Sequence, residues 1–339
     1  MRFVGHATFV AIVARTLSSP LLAQAGASLV QPIAPAPIAL ATIAAAPPAA
    51  PDALRPYVGE YASGADTVIV AEVNGTLVAF SRRGNRTVTP DRDFMRIDGS
   101  LRLSVPGGQP AVRFAVGTEE GVTFRITPLH PIPDLRRTAR AATPPREAGK
   151  RATDLVELIT LDPTIRLDIR YASDNNFMGA AMYSQARAFL QRPAADAVVR
   201  ANRKLKGYGF GLLIHDAYRP WYVTRMFWDA TTGADHEFVA NPATGSKHNR
   251  GAAVDLTLYT LADGTPARMP GGYDEFSHRS YPGYPGGTSL ERWRRDLLRA
   301  VLESEGFTVN PSEWWHFDLV GWAQWPIGNI PFEQVARRP

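Results

Sequence analysis

The sequence of 339 residues contains no cysteine. This absence excludes disulfide bonds, zinc sites made of thiolates and catalysis by a cysteine nucleophile. Basic residues give a net charge of +5 but are scattered, and no stretch alternates them with aromatic residues as a nucleic-acid-binding surface does. No apolar run is long enough to cross a bilayer. We therefore expect neither a nucleic-acid partner nor a transmembrane segment.

The first 25 residues have the features of a signal peptide. Arg2 provides a positive start, residues 9–14 are apolar, and residues 23–25 read Ala-Gln-Ala, a small-x-small cleavage site. We therefore expect export to the periplasm or cell envelope, the alternative being a disordered N-terminus. Residues 26–51 are rich in alanine and proline, which predicts an extended linker that we expect to be disordered.

Residues 52–128 are predicted to form a small all-β domain. The pairs Asn74-Gly75 and Asp98-Gly99 are hairpin turn signals, and each lies between short apolar stretches. This part has a short resemblance to the small β-barrel domains appended to secreted hydrolases. It contains no catalytic set of residues, so we expect an accessory role, such as contact with the cell wall. Residues 129–150 are rich in proline and arginine and predict a second linker.

Residues 151–339 have the pattern of a mixed domain. Helical periodicity covers residues 193–206 and 289–305, each followed by glycine. Apolar strands are predicted at 210–214, 252–258 and 314–319. The expected fold is α+β, with a small antiparallel sheet and flanking helices, preceded by the all-β domain.

Three side chains in this domain suit a metal ion. His248 and Asp255 are seven residues apart, and His316 follows near the C-terminus. Asp255 lies within an apolar strand, where a carboxylate is costly unless it is paired or binds a metal. Two histidines and one carboxylate leave a position for water, as in catalytic zinc sites, although other divalent ions also suit this set. The alternative for Asp255 is a salt bridge to an arginine such as Arg250.

Two further residues extend this set toward catalysis. Glu313 precedes His316 by three residues, so at the entry of the strand it would lie near the metal without binding it. There it could take a proton from the attacking water. Arg219 follows a predicted strand and could stabilise an oxyanion. The alternatives are a surface role for Glu313 and a structural bridge from Arg219 to Asp216 or to a backbone carbonyl.

These motifs together resemble the D-alanyl-D-alanine dipeptidase family, the zinc D,D-dipeptidases of vancomycin-resistance type. The resemblance covers residues 154–325 and rests on five blocks in the family's order. The blocks are 170–179 (RYASDNNFMG), 216–220 (DAYRP), 246–258 (SKHNRGAAVDLTL), 269–275 (MPGGYDE) and 313–316 (EWWH). The fourth block departs from the family pattern at residues 271–273, which predicts a different pocket wall.

The resemblance implies a role for each residue. It makes His248, Asp255 and His316 the ligands of one Zn²⁺, Glu313 the general base and acid, and Arg219 the stabiliser of the transition state. It also implies substrate contacts from three residues: Ser246, Tyr171 and Asp274. Asp274 would pair with the free amino group, so a longer chain would leave a buried charge unpaired. The preference for D-amino acids follows from the resemblance alone.

The leading hypothesis is zinc-dependent hydrolysis of D-alanyl-D-alanine in the cell envelope. A second hypothesis is a D,D-carboxypeptidase or endopeptidase that trims peptidoglycan stem peptides, which would depend less on Asp274. A third is a zinc-stabilised module that binds the cell wall without catalysis. Glu313 and Arg219 argue against the third hypothesis, because a structural zinc site needs no spare base.

Overall fold

The structure, a computed structural model, describes residues 36–64, 66–114, 124–233 and 235–335. The predicted signal peptide and the first part of the predicted linker over 26–51 lie outside these residues, as do residues 115–123 of the predicted all-β segment. No helix within the described ranges is both long and apolar enough to cross a membrane.

Residues 59–114 form a seven-stranded antiparallel sheet, here called the N-terminal sheet. Its spatial order is β4-β3-β2-β1-β7-β6-β5. The strands are β1 (Gly59–Ser63), β2 (Asp66–Val73), β3 (Thr76–Ser81), β4 (Gly84–Val88), β5 (Phe94–Ile97), β6 (Ser100–Leu103) and β7 (Ala111–Phe114), with a single helical turn α1 (Pro90–Asp93) before β5. Both predicted hairpins are present, and Asn74 and Asp98 have the positive φ that two-residue turns require.

A second, five-stranded sheet forms the centre of the C-terminal half. Its order is β13-β14-β12-β11-β9, antiparallel except for the β11–β9 pair. The strands are β9 (Arg166–Leu167), β11 (Phe210–Asp216), β12 (Ala253–Thr260), β13 (Phe307–Asn310) and β14 (Glu313–Leu319); β8 (Leu155–Glu157) and β10 (Phe189–Gln191) form a separate two-stranded ribbon. The predicted combination of helices with an antiparallel sheet is confirmed here.

Two long helices cover this second sheet. They are α4 (Arg192–Lys206) and α6 (Ser289–Ser304), at the positions that the periodicity predicts. Helix α4 buries a stripe of small and branched residues, including Ala197, Val198 and Leu205. Helix α6 begins with a capping box between Thr288 and Glu291. The shorter helices are α2 (Ile132–Ala141), α3 (Leu158–Leu161), α5 (Trp221–Ala230) and α7 (Phe332–Val335).

Both predicted linkers differ from their prediction where the structure describes them. Residues 129–150 contain helix α2, which buries Leu135 and Ala139. Proline is tolerated in the first turn of a helix, so the proline content did not exclude one here. Residues 36–44 lie along helix α6, where the carbonyl oxygen of Ala44 accepts a hydrogen bond from the Trp293 indole at 2.9 Å.

Candidate active site

His248, Asp255 and His316 meet in one buried cluster. Asp255 on β12 and His316 on β14 are paired neighbours in the sheet, and His248 lies in the turn before β12. Their facing atoms form a nearly equal triangle: His248 Nε2 lies 3.2 Å from Asp255 Oδ1 and 3.1 Å from His316 Nδ1, and His316 Nδ1 lies 3.0 Å from Asp255 Oδ1. Gly251 closes the turn with a φ of 65°, and a Cβ there would collide with the Leu155 side chain.

The second nitrogen of each histidine fixes its tautomer. His248 Nδ1 donates to the carbonyl oxygen of Ala217 at 2.6 Å, and His316 Nε2 donates to Asp318 Oδ1 at 2.9 Å. Lys247 Nζ holds the other oxygen of Asp318 at 3.0 Å. Outer partners of this kind orient imidazoles that bind metals. Both histidines can therefore present an unprotonated nitrogen to the same point.

The spacing of the three donor atoms suits a tetrahedral divalent ion. Bonds of 2.0–2.1 Å at tetrahedral angles place ligand atoms about 3.3 Å apart, close to the triangle of 3.0–3.2 Å. Burial lowers the pKa of His316, but Asp318 and the hydrogen bond to Asp255 outweigh it and raise that pKa to about 10. A metal ion would therefore displace a proton on binding.

Asp255 is held in its ionised form. Burial raises its pKa, but the charges and hydrogen bonds of His248 and His316 lower it well below the usual range. Its second oxygen, Oδ2, accepts a hydrogen bond from the Tyr273 hydroxyl at 3.1 Å and lies 3.8 Å from Arg219 Nη2. The predicted alternative was a salt bridge from Asp255 to an arginine such as Arg250. The pairing with Arg250 is wrong, because that arginine pairs with Glu147 at 2.7 Å, whereas Arg219 lies within ion-pair distance of Asp255.

Glu313 lies beside the cluster at the entry of β14, as the sequence predicts. Its Oε2 lies 3.5 Å from His316 Nδ1 and accepts a hydrogen bond from Asn310 Nδ2 at 3.0 Å. Burial and the charge of Asp255 raise the pKa of Glu313, against the opposing charges of His316 and Arg219. A carboxylate with a raised pKa is suited to accept and return a proton near neutral pH.

One cavity of about 360 Å³ connects these residues with the predicted substrate contacts. The cavity is lined by the three candidate metal ligands, by the candidate base and by the four other predicted residues. These are His248, Asp255, His316, Glu313, Ser246, Tyr171, Arg219 and Asp274. A cavity of this size is in the usual range for small ligands. The structure thus brings all eight predicted site residues to a single cavity.

Asp274 occupies an unusual position in this cavity. It has a φ of 54°, a left-handed conformation that non-glycine residues rarely adopt, and it is buried. Burial and the charges of Asp255 and Glu313 raise its pKa well above the usual range, although the Tyr171 hydroxyl donates to its Oδ2 at 2.7 Å. A buried carboxylate that forms no salt bridge among the described residues is suited to a cationic group of a ligand.

Arg219 makes the structural bridge that the sequence left as an alternative, and it also faces the cavity. Its guanidinium contacts Asp216 at 2.8 Å and lies over the rings of Tyr171 and Phe227 at 5.1 and 5.0 Å. The bridge to Asp216 fixes the guanidinium in place. The two roles are therefore compatible.

Three site residues were not predicted from the sequence. Asp318 follows His316 by two residues in the same strand, so both side chains point to the same face of the sheet. The two-residue period of a strand could therefore have indicated that Asp318 belongs to the site. Tyr273 lies in an irregular segment, and Asn310 is the last residue of β13, where the pairing with β14 shifts register; sequence spacing does not give the side-chain direction at either position. Their contacts with Asp255 and Glu313 become visible only in the structure.

Comparison with known proteins agrees with this geometry. The sequence model of peptidase family M15, described as D-ala-D-ala dipeptidase, matches residues 151–334. The chain is 36% identical over 175 residues to the D-alanyl-D-alanine dipeptidase of Escherichia coli K12, covering 52% of this chain and 89% of that protein. It is 35% identical over 176 residues to that of Streptomyces coelicolor, covering 46% and 86%. It is 29% identical over 173 residues to the D-alanyl-D-alanine dipeptidase of Enterococcus faecium, covering 46% of this chain and 86% of that protein.

The matched region contains every residue of the candidate active site and excludes the N-terminal sheet. A match over more than half of the chain, with the predicted ligand set converging inside it, identifies the enzyme class. The chain belongs to the D-Ala-D-Ala dipeptidase family of metallopeptidases.

Proposed function

We propose that the protein hydrolyses D-alanyl-D-alanine to two molecules of D-alanine with one zinc ion per chain. The observation that carries this proposal is the convergence of His248, Asp255 and His316 beside Glu313, in a cavity that also contains the buried carboxylate of Asp274. The preference for D-alanine rests on the family, whose relatives are named for that substrate.

The chain's own side chains can carry the steps of peptide hydrolysis. Zinc held by the three ligands would act as a Lewis acid, which polarises the scissile carbonyl and makes a water molecule acidic near neutral pH. Glu313 takes the proton from the attacking water and returns it to the amide nitrogen as the C–N bond breaks. Arg219 donates a hydrogen bond to the scissile carbonyl oxygen while that oxygen carries negative charge.

Asp274 would set the length of the substrate. A free dipeptide has an ammonium group that can pair with this carboxylate, whereas an acylated dipeptide has none and would leave the charge buried and unpaired. Tyr171, which donates to Asp274, and Ser246, whose Oγ accepts from the His248 amide at 3.2 Å, are proposed to contact the substrate beside it.

A comparison of three substrates tests the proposal. Free D-Ala-D-Ala, an acetyl-blocked D-Ala-D-Ala and L-Ala-L-Ala are incubated with the enzyme, with and without a chelator, and released alanine is measured. We expect chelator-sensitive cleavage of the free D,D-dipeptide alone. Cleavage of the blocked compound at a similar rate would instead indicate a D,D-carboxypeptidase or endopeptidase acting on stem peptides, and zinc binding without any turnover would indicate a binding module.

The cellular setting is also a proposal. The features of residues 1–25 support export to the periplasm or cell envelope. Sequencing the N-terminus of the mature protein from fractionated cells tests this, and an intact N-terminus on cytoplasmic protein would contradict it. A division at 52–128 and 151–339 into accessory and catalytic domains stays a prediction, as does cell-wall contact through the first.

A further inference from the structure

The N-terminal sheet lies outside the residues that match the family, yet it contacts the substrate end of the active site. The contact is made by the segment that follows Asp274, residues 275–288, here called the 275–288 loop. This loop begins next to Asp274 and ends at Thr288, the N-cap residue of helix α6. A displacement of the loop would therefore reach Asp274 directly through the backbone.

One anchor of the loop is a buried carboxylate on β1. Glu60 Oε1 accepts hydrogen bonds from His278 Nε2 at 2.8 Å and from the Tyr284 hydroxyl at 2.7 Å. Only 1% of Glu60 is exposed, and His278 and Tyr284 are buried with it. A buried carboxylate depends on such partners, so the sheet and the loop are coupled at this point.

A second anchor lies on the neighbouring strand β2. Glu72 Oε2 accepts from the backbone amide of Ser289 at 2.9 Å, and the Glu72 carbonyl oxygen accepts from Arg292 at 2.8 Å. The Glu72 amide donates in turn to the carbonyl oxygen of Gly287 at 3.1 Å. The end of the loop is thus fixed to the sheet through both backbone and side chain.

An apolar contact connects the sheet with the wall of the cavity. Ile69 on β2 packs against Tyr281 and Tyr284 of the loop. The Tyr281 hydroxyl donates to Glu237 Oε1 at 2.8 Å, and Phe238 packs into the same group. Glu237 and Phe238 both line the cavity. The sheet therefore supports two parts of the cavity, the Asp274 end and the 237–238 wall.

Inside the loop, the hydrogen bonds of Glu275 connect the anchored residues with Asp274. Its Oε2 accepts from the Gly272 amide at 2.9 Å, its Oε1 accepts from the Ser277 hydroxyl at 2.9 Å, and its carbonyl oxygen accepts from the Ser280 hydroxyl. These bonds close the chain around Asp274, whose left-handed conformation must be held by its surroundings.

We propose that the N-terminal sheet is a part of the substrate site, in which Glu60 acts as a positioning residue. By fixing the 275–288 loop it holds Asp274 where the ammonium group of a free dipeptide binds. The sheet thereby supports the discrimination between free and blocked dipeptides. The kinetic part of this inference rests on the proposed function, whereas the coupling between sheet and loop does not.

The test compares Glu60→Gln with a matched control, Asp93→Asn. Asp93 is also a buried carboxylate. It lies in the helical turn α1 beside the N-terminal sheet and pairs there with Arg86 of β4 and with Arg92, and its hydrogen bonds and ion pairs among the described residues do not include the 275–288 loop. For E60Q we expect the KM for D-Ala-D-Ala to rise about tenfold, because glutamine keeps the acceptor oxygen but loses the negative charge that strengthens both hydrogen bonds to the loop. The kcat and the zinc content should stay near those of the parent enzyme, because the metal cluster lies on the other sheet.

Hydrogen exchange provides a readout that needs no substrate. In E60Q the amides of residues 275–288 should exchange about tenfold faster, whereas D93N should accelerate exchange within the N-terminal sheet. The double variant Glu60→Gln/His278→Gln should add little to E60Q, since the two residues act as a pair.

The outcomes separate this inference from the proposed function. Unchanged loop exchange and an unchanged KM in E60Q would overturn the coupling, even if the enzyme cleaves D-Ala-D-Ala. Equal effects of E60Q and D93N on loop exchange would also overturn it, because sheet stability alone would then explain both. Faster loop exchange in E60Q only, in an enzyme that does not cleave D-Ala-D-Ala, would support the coupling and refute the proposed substrate.

Discussion

Replacing Asp274 by asparagine should stabilise the fold and impair substrate binding. In the folded protein, burial and neighbouring negative charges raise the pKa of Asp274 well above its usual value of 3.8. The folded state then holds a proton that the unfolded state releases, so stability falls as the pH rises from 3.8 through the raised pKa. Asparagine has the shape of the protonated carboxyl group and does not ionise, so the variant avoids this loss.

The expected gain in the free energy of unfolding is about 1 kcal/mol, the size of one poorly compensated buried polar group. For a domain of about 150–250 residues this corresponds to a melting temperature about 2–4 °C higher. The gain should be larger at pH 8 than at pH 5. Asparagine also tolerates the left-handed conformation of this position, where φ is 54°.

The loss of binding should be larger than the gain in stability. Removing one partner of a buried charge pair costs about 3 kcal/mol, which is roughly two orders of magnitude in kcat/KM. The KM of the parent enzyme should fall as the pH rises and Asp274 ionises, whereas the KM of D274N should no longer show this pH dependence.

The assay combines thermal melting with steady-state kinetics on free D-Ala-D-Ala between pH 5 and 8. Asp98→Asn is the matched control, because Asp98 is exposed and has a φ of 50° in a turn of the N-terminal sheet. This control measures the effect of placing asparagine in a left-handed backbone conformation at a position that has no buried charge. A D274N enzyme that melts below the parent, or keeps kcat/KM within about threefold of it, would refute the reasoning.

Three further substitutions test separate parts of the site. Glu313→Gln should lower kcat by about 10²–10⁴-fold with bound zinc unchanged; zinc loss in this variant would mean that Glu313 is a ligand. Asp318→Ala, which removes the acceptor of the His316 hydrogen bond, should weaken zinc affinity about 10–100-fold in equilibrium dialysis, and an unchanged affinity would contradict that role. Tyr273→Phe removes one hydrogen bond to Asp255 and should lower kcat/KM about fivefold, and a loss above a hundredfold would show that Tyr273 contacts the substrate.

Part of the candidate site could be predicted from the sequence because Asp255, His316 and Glu313 lie in strands, whereas the substrate contacts Ser246, Tyr171 and Asp274 followed only from the resemblance to a family. Asp255 and His316 are on adjacent strands of an antiparallel pair, so the residues that alternate toward one face come together once the strands pair. Glu313 was predictable at the strand entry for the same reason. The burial of a carboxylate in an apolar strand was the local signal that a metal ligand requires.

The rest depended on contacts between distant parts of the chain. Glu60 and His278 are 218 residues apart, and neither has a local pattern that points to the other. Arg250 has a nearby candidate partner in Asp255, but tertiary structure brings Glu147 to it instead. The proline-rich segments predicted as linkers are ordered where described because they bury apolar side chains, which composition alone does not reveal.

Titration of the metal-free enzyme with zinc tests the central claim most directly. After exhaustive dialysis against a chelator, zinc is added in steps while D-alanine release from D-Ala-D-Ala is measured. The structure predicts no hydrolysis without metal and a linear rise that ends at one zinc per chain, because His248, Asp255 and His316 form one site. Full hydrolysis by the metal-free enzyme, or one bound zinc without any hydrolysis, would contradict the account.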